Sequence, residues 1–142
     1  MRVVLDTNVI VSAFLSPRGD PARVLQGFRQ ERFDLLVSPA ILQEYAAALR
    51  YDRVRKVHKL SDAQLESALE DLKAVAILIT PAVTPAVVPA DAEDDKFFAC
   101  AVAGHADMIV SGDAHVQAVK QHQGILVLSP AAFVALLDQT QA

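Results

Sequence analysis

Met1-Arg2-Val3-Val4-Leu5-Asp6-Thr7-Asn8 is an apolar run that ends on a carboxylate followed by two small polar residues. Residues 3–5 read as a short strand buried on both faces, the kind found inside a parallel sheet. In open parallel sheets ligands lie in the crevice beyond the carboxyl ends of the strands, which is where this reading puts Asp6. The same pattern recurs downstream, where the apolar run 108–110 leads into Ser111-Gly112-Asp113.

Between and beyond these two strands, apolar runs alternate with segments of helical periodicity. A helical reach over 9–15 breaks at the Pro- and Gly-rich stretch 16–21. A helix then spans about 21–32, with Asp20 as N-cap and Pro21 at its first position. Residues 33–37 form the next strand. Ser38-Pro39 opens a helix with Ile41, Leu42, Tyr45, Ala46 and Leu49 on one face. Ser61-Asp62-Ala63-Gln64 is a capping box for a helix that buries Leu65, Leu69, Leu72 and Val75 or Ala76. Residues 77–80 are a strand candidate, and Pro81, Pro85 and Pro89 mark an extended loop. An acid-rich helix start at 91–95 precedes a helix over 96–104, and a short helix follows Asp113 to about residue 122. A strand at 125–128 and a helix over 130–138, capped by Ser129, complete the order. Strands alternating with helices predict an α/β class with a mostly parallel sheet, in a single domain spanning 1–142.

The 142 residues are enough for one domain that buries roughly two thirds of its unfolded surface. The single cysteine, Cys100, excludes an internal disulfide framework and a thiolate zinc site. It reads as a small buried hydrophobe on a helix face. No apolar run reaches the length of a membrane span, and Asp6 interrupts any leader-like segment, so we expect a cytoplasmic protein with no membrane association. Net charge is −4, but it is segregated: residues 1–60 carry ten Lys/Arg against six Asp/Glu, and the remainder three against eleven. Much of the positive half lies in 50–59, where Arg50, Arg53, Arg55, Lys56 and Lys59 suit a phosphate backbone or, equally, a solvated helix end. Tyr51 there is either a stacking surface for a base or a core anchor.

Four acids stand at element boundaries: Asp6, Glu44, Asp95 and Asp113. Singly, each has a structural explanation as a helix-start or turn residue. Together on one sheet edge they would repel one another without a cation, and hard oxygen ligands select Mg2+ or Mn2+.

The residues that carry these acids resemble the PIN domain family, and within it the prokaryotic toxin-like group of the VapC type. The resemblance rests on Asp6-Thr7-Asn8-Val9-Ile10-Val11-Ser12-Ala13, on Ser38-Pro39 with Glu44, on Asp94-Asp95-Lys96-Phe97-Phe98 with Ala99 and Ala101, and on Ala106-Asp107-Met108-Ile109-Val110-Ser111-Gly112-Asp113. It implies a three-layer α/β/α fold and a metal-dependent ribonuclease with Asp6, Glu44, Asp95 and Asp113 as the catalytic acids. Asp6, Asp95 and Asp113 would hold Mg2+ or Mn2+, Asp94 being the reserve for Asp95. Thr7, Asn8 and Ser111 match positions that orient the carboxylates by hydrogen bonding. One departure stands out: where many relatives carry a further acid, two residues after Asp113, this chain has His115.

The expected reaction is metal-assisted hydrolysis of an RNA phosphodiester, leaving a 5′-phosphate and a 3′-hydroxyl, with Glu44 orienting or deprotonating the attacking water. By resemblance the partners are an RNA substrate and an antitoxin protein, and the abundance of apolar residues suggests a second copy in a homodimer. Two rival readings stand beside it. A non-catalytic PIN-like module would bind RNA or protein through a blocked pocket. An aspartate-nucleophile phosphotransferase would begin like Asp6 but needs an acid where Asn8 stands.

Overall fold

The computed structural model describes residues 1–82, 87–88 and 92–140. Six strands, β1 (Arg2–Leu5), β2 (Asp34–Val37), β3 (Ile77–Leu78), β4 (Met108–Val110), β5 (Gln121–His122) and β6 (Ile125–Leu128), form one sheet. Their order is β3-β2-β1-β4-β6-β5. Every pairing is parallel except the β5–β6 hairpin. The helices α1 (Thr7–Leu15), α2 (Asp20–Arg29), α3 (Pro39–Leu49), α4 (Asp52–His58), α5 (Asp62–Val75), α6 (Asp95–Ala103), α7 (Ala114–Gln117) and α8 (Pro130–Gln139) complete a three-layer α/β/α fold. None of the helices among the described residues is long and apolar enough to cross a membrane.

β1 lies at the centre because Val3, Val4 and Leu5 have no surface left to solvent. Leu5 pairs with Val110, so β1 and β4 end side by side, and the Asp6 amide donates to the Val110 carbonyl at 2.9 Å. From β1 the chain crosses toward β2 on one side, and from β4 toward β6 on the other. That divergence opens a crevice above the β1–β4 pair, the place where doubly wound sheets bind their ligands. Beneath it Tyr45, Phe97 and Phe98 are fully buried. The Tyr45 hydroxyl donates to the Leu5 carbonyl and ties α3 to the end of β1.

The elements follow the sequence reading with four local differences. Asp20 is the first helical residue of α2 rather than its cap, which is Gly19. α2 stops at Arg29 because Glu31 turns left-handed (φ 58°) and the Arg32 amide bonds back to the Gly27 carbonyl at 3.0 Å, closing a Schellman-type end. Residues 50–59 are not a helix end and loop: they hold a separate two-turn helix, α4. The helix after Asp113 ends at Gln117 instead of about 122, because Gln123 (φ 50°) and Gly124 (φ 82°) form a two-residue hairpin turn that pairs His122 with Ile125. Two consecutive positive φ angles are the signature of the type I′ turn. Of the α5 face, Leu65 and Leu72 are buried and Leu69 and Ala76 pack on the core, while Val75 faces solvent. The expectations placed on Pro85, Pro89 and Asp91 lie outside the described residues.

Candidate active site

The buried polar residues among those described are Asp6, Thr7, Ser38, Asp94, Asp95 and Ser111. All six flank the strand ends named above: after β1, after β2, at the start of α6 and after β4. Polar groups are rarely placed in an interior unless they are hydrogen-bonded, and here the bonds fall into local groups, around Asp6 and Ser111, around Thr7 and Glu44, and at Asp95.

Asp6 anchors the first of these groups. Its Oδ2 accepts the Ser111 hydroxyl proton at 2.6 Å. The same hydroxyl oxygen accepts the Asp113 amide at 3.0 Å, so one serine links the two acids that follow β1 and β4. Asn8 braces that turn from the other side, its Oδ1 accepting the Gly112 amide at 2.9 Å. Gln117 closes it, donating from Nε2 to the Ser111 carbonyl at 2.6 Å. Burial raises the Asp6 pKa above its ordinary value. The Ser111 hydroxyl and the Asn8 amide pull it down, and the nearby charges of Glu44 and Asp113 push it further up. Asp6 therefore feels the charges of both Glu44 and Asp113.

Glu44 is fully engaged. Thr7 Oγ1 donates to Oε1 at 2.6 Å, and the Lys96 ammonium bonds Oε2. Lys96 also lies 3.5 Å from Glu93. Burial weakens the lysine's hold on its proton, but the bonds and charges of Glu44 and Glu93 outweigh that, and its pKa is raised overall.

Asp95 opens α6, and its Oδ1 accepts two backbone amides, Val87 at 3.0 Å and Val88 at 2.8 Å. One carboxylate oxygen is thus committed to pinning the preceding backbone at Val87 and Val88. Asp94, one residue earlier, is buried to a similar degree. Asp113 caps α7, its Oδ1 accepting the His115 amide at 2.8 Å, while the His115 side chain is exposed.

The donor chemistry fits a hard divalent cation: oxygen ligands, mutual carboxylate repulsion and an acid held above its ordinary pKa by burial. Among the described residues no three His, Cys, Asp or Glu side chains are gathered into a cage. Mg2+ does not require one, since it keeps several waters and takes one or two carboxylates directly.

The expected cationic stretch is placed elsewhere. Arg50 donates to the Ala46 carbonyl at the end of its own helix, Arg55 pairs with Asp62, and Arg53 lies over the Tyr51 ring at 6.0 Å. Tyr51 is exposed, which settles it as a surface ring. α4 packs at the far end of α1: His58 meets Phe14 edge-on, with ring centroids 6.3 Å apart. Phe14 is seven residues, about 10 Å, along the helix from Thr7. The cation that does touch the acids is Lys96, to which the sequence reading assigned no role. Its signal was a lysine in the first turn of a helix, where the dipole disfavours positive charge and a nearby acid must compensate.

An acid-lined crevice at the switch point of a three-layer parallel sheet defines a class of α/β proteins whose chemistry is built from carboxylates. The chain belongs to the PIN domain family, whose model matches residues 2–115. It is 28% identical over 129 residues to the uncharacterized protein MJ1680 of Methanocaldococcus jannaschii, covering 91% of this chain and 81% of that one. In fold it is similar to PAE2754 from Pyrobaculum aerophilum, with a TM-score of 0.64 at 12% identity over 99% of this chain and 91% of the other. It is also similar to VapBC2 from Rickettsia felis, solved bound to a DNA fragment from its promoter, with a TM-score of 0.57 at 14% identity over 91% and 98% of the chains.

Proposed function

We propose that this protein is a Mg2+- or Mn2+-dependent endoribonuclease. PIN domains are generally nucleases, and the observation that carries the reading here is the coupled, buried Asp6 at the switch point, linked through Ser111 to Asp113 and within electrostatic reach of Glu44. Asp6, Asp113 and Asp95 through its Oδ2 would hold the ion, with Asp94 as the alternate acid at the start of α6. A divalent ion held there would supply Lewis-acid chemistry toward a phosphate oxygen and a water. Ser111 and the backbone amide of Asn8 favour the ionised form of Asp6 against its burial, and the Ser111 bond aims it. Thr7 and Lys96 occupy both oxygens of Glu44, which makes it an orienting group in this state rather than a ready base. The exposed cations Lys56 of α4 and Lys59, the residue that caps it, serve foremost as distal contacts for the RNA strand.

The protein acts as the toxin of a toxin-antitoxin pair, in the cytoplasm and as a homodimer. What supports the partner is the likeness in fold to VapBC2.

A pool of single-stranded and structured RNA, incubated with Mg2+, Mn2+ or EDTA, tests the activity. Cleavage with either metal and none in EDTA, giving products with ligatable 5′-phosphates, is the expected result. A folded protein that retains RNA without cutting it in any metal would favour the non-catalytic module.

A further inference from the structure

Beside the carboxylates, between the start of α3 and the segment leading out of β3, lies an open cavity of about 240 Å3. Ser38, Ala40, Thr80, Pro81 and Ala99 give it neutral walls, and Lys96 is the one charged residue among the described lining. A groove with a single cationic group, next to a site built to act on a phosphodiester, is matched to an anion.

We propose that Lys96 is a substrate-positioning residue, which binds a phosphate of the RNA strand next to the one being cut and holds that strand in this groove. The proposal rests on the ribonuclease reading. An ammonium has three donors. Glu44, itself fixed by Thr7, takes one and sets the position of the side chain, which is only 20% exposed. The second carboxylate is different in kind. Glu93 is 83% exposed and stands 3.5 Å away, and a solvated pair of this sort contributes little. A phosphate oxygen entering the groove exchanges for Glu93 while the Glu44 bond stays in place. The half-buried lysine thus remains paired with or without substrate, and no charge is stranded. The arrangement also accounts for how RNA approaches a pocket of acids: the cations of α4 lie at the far end of α1, whereas Lys96 is within the pocket wall.

The test uses full-length protein carrying Asp6→Asn, to stop turnover, and a single-stranded RNA oligonucleotide containing a cut site mapped with the unmodified protein. Lys96→Met should lower the slope of log affinity against log salt by about 0.7, one phosphate contact on a single strand, and Lys96→Arg should restore it. Replacing one phosphate beside the cut with a neutral methylphosphonate should abolish the difference in affinity that Lys96→Met makes, while replacement at distant phosphates should leave it. Should Lys96→Met fold poorly, Lys96→Met with Glu44→Gln removes both charges together and is compared with Glu44→Gln alone. An unchanged salt slope, with no phosphate whose neutralisation is coupled to Lys96, would overturn the proposal and leave the nuclease standing. Failure of every form to bind or cut RNA would overturn both.

Discussion

Ser111 and Asp6, 105 residues apart in sequence, are joined by a 2.6 Å hydrogen bond from the serine hydroxyl to Oδ2 of the aspartate. The bond exists because β1 and β4 are neighbours in register, Leu5 opposite Val110, so the residues that follow them meet. Ser111→Ala removes the interaction that holds the Asp6 pKa down, leaving burial and carboxylate repulsion unopposed except by the Asn8 amide. The acid limb of the pH–rate profile should therefore move to higher pH, with stability lower by about 1.5–3 kcal/mol, as for loss of a bond to a charged group. Cleavage rates across the pH range, with a denaturation curve alongside, check this.

Asp6 itself is held at a cost to the fold. Its folded-state pKa is raised above the ordinary value, so the native protein holds the proton more tightly than the unfolded chain does. Stability is therefore undiminished below the unfolded pKa, falls as pH rises through the window up to the folded pKa, and stays lowered above it. Asp6→Asn keeps an acceptor for Ser111 and abolishes the charge. In EDTA at neutral pH the variant should melt above the unmodified protein, each 1 kcal/mol being worth roughly 3 °C in a chain of this size. Adding Mg2+ should raise the melting temperature of the unmodified protein and leave the variant unmoved.

Asp95 accepts the amides of Val87 and Val88 on Oδ1, and in the proposed mechanism its Oδ2 would hold the ion. Asp95→Ala should lower metal-free stability by about 1–3 kcal/mol, because two backbone donors, Val88 buried and Val87 partly so, lose their acceptor. Asp95→Asn, whose side-chain carbonyl still accepts, should stay close to the unmodified protein in EDTA and lose the Mg2+-dependent rise. Asp94→Asn measured in parallel decides between the two acids: a lost rise there, with the rise kept in Asp95→Asn, transfers the role to Asp94.

Gly104 ends α6 where the helix passes over the sheet. A Cβ at this position would lie 2.6 Å from Leu36 Cδ1, 3.0 Å from Ile79 Cγ1 and 3.1 Å from the Cys100 carbonyl oxygen. Gly104→Ala should cost about 1–3 kcal/mol, the usual penalty for forcing a methyl into a packed interior. Urea denaturation of the variant measures it. Unaffected metal-dependent cleavage at low temperature would separate this packing role from the chemistry.

The parts of the fold legible in the sequence were those with local causes. Apolar runs ending at Asp6 and at Ser111-Gly112-Asp113 announced strands that open onto a crevice. Ser38, Ser61 and Ser129 announced helix starts, and each side chain accepts the amide three residues on. What escaped notice depends on contacts distant in sequence. Glu44 has no partner four residues later, where Ala48 stands, and its actual partners, Thr7 and Lys96, lie 37 and 52 residues away. The hairpin at 121–125 turns on Gln123-Gly124, a pair without the Asn or Asp that usually marks such turns.

The central claim, that Asp6 is the metal-holding acid of a ribonuclease, is tested most directly by cleavage of one mapped RNA substrate in Mg2+ by the unmodified protein and by Asp6→Asn, both shown to be folded. The account predicts turnover that EDTA abolishes in the first and no detectable turnover in the second. Equal cleavage by the two proteins would contradict it.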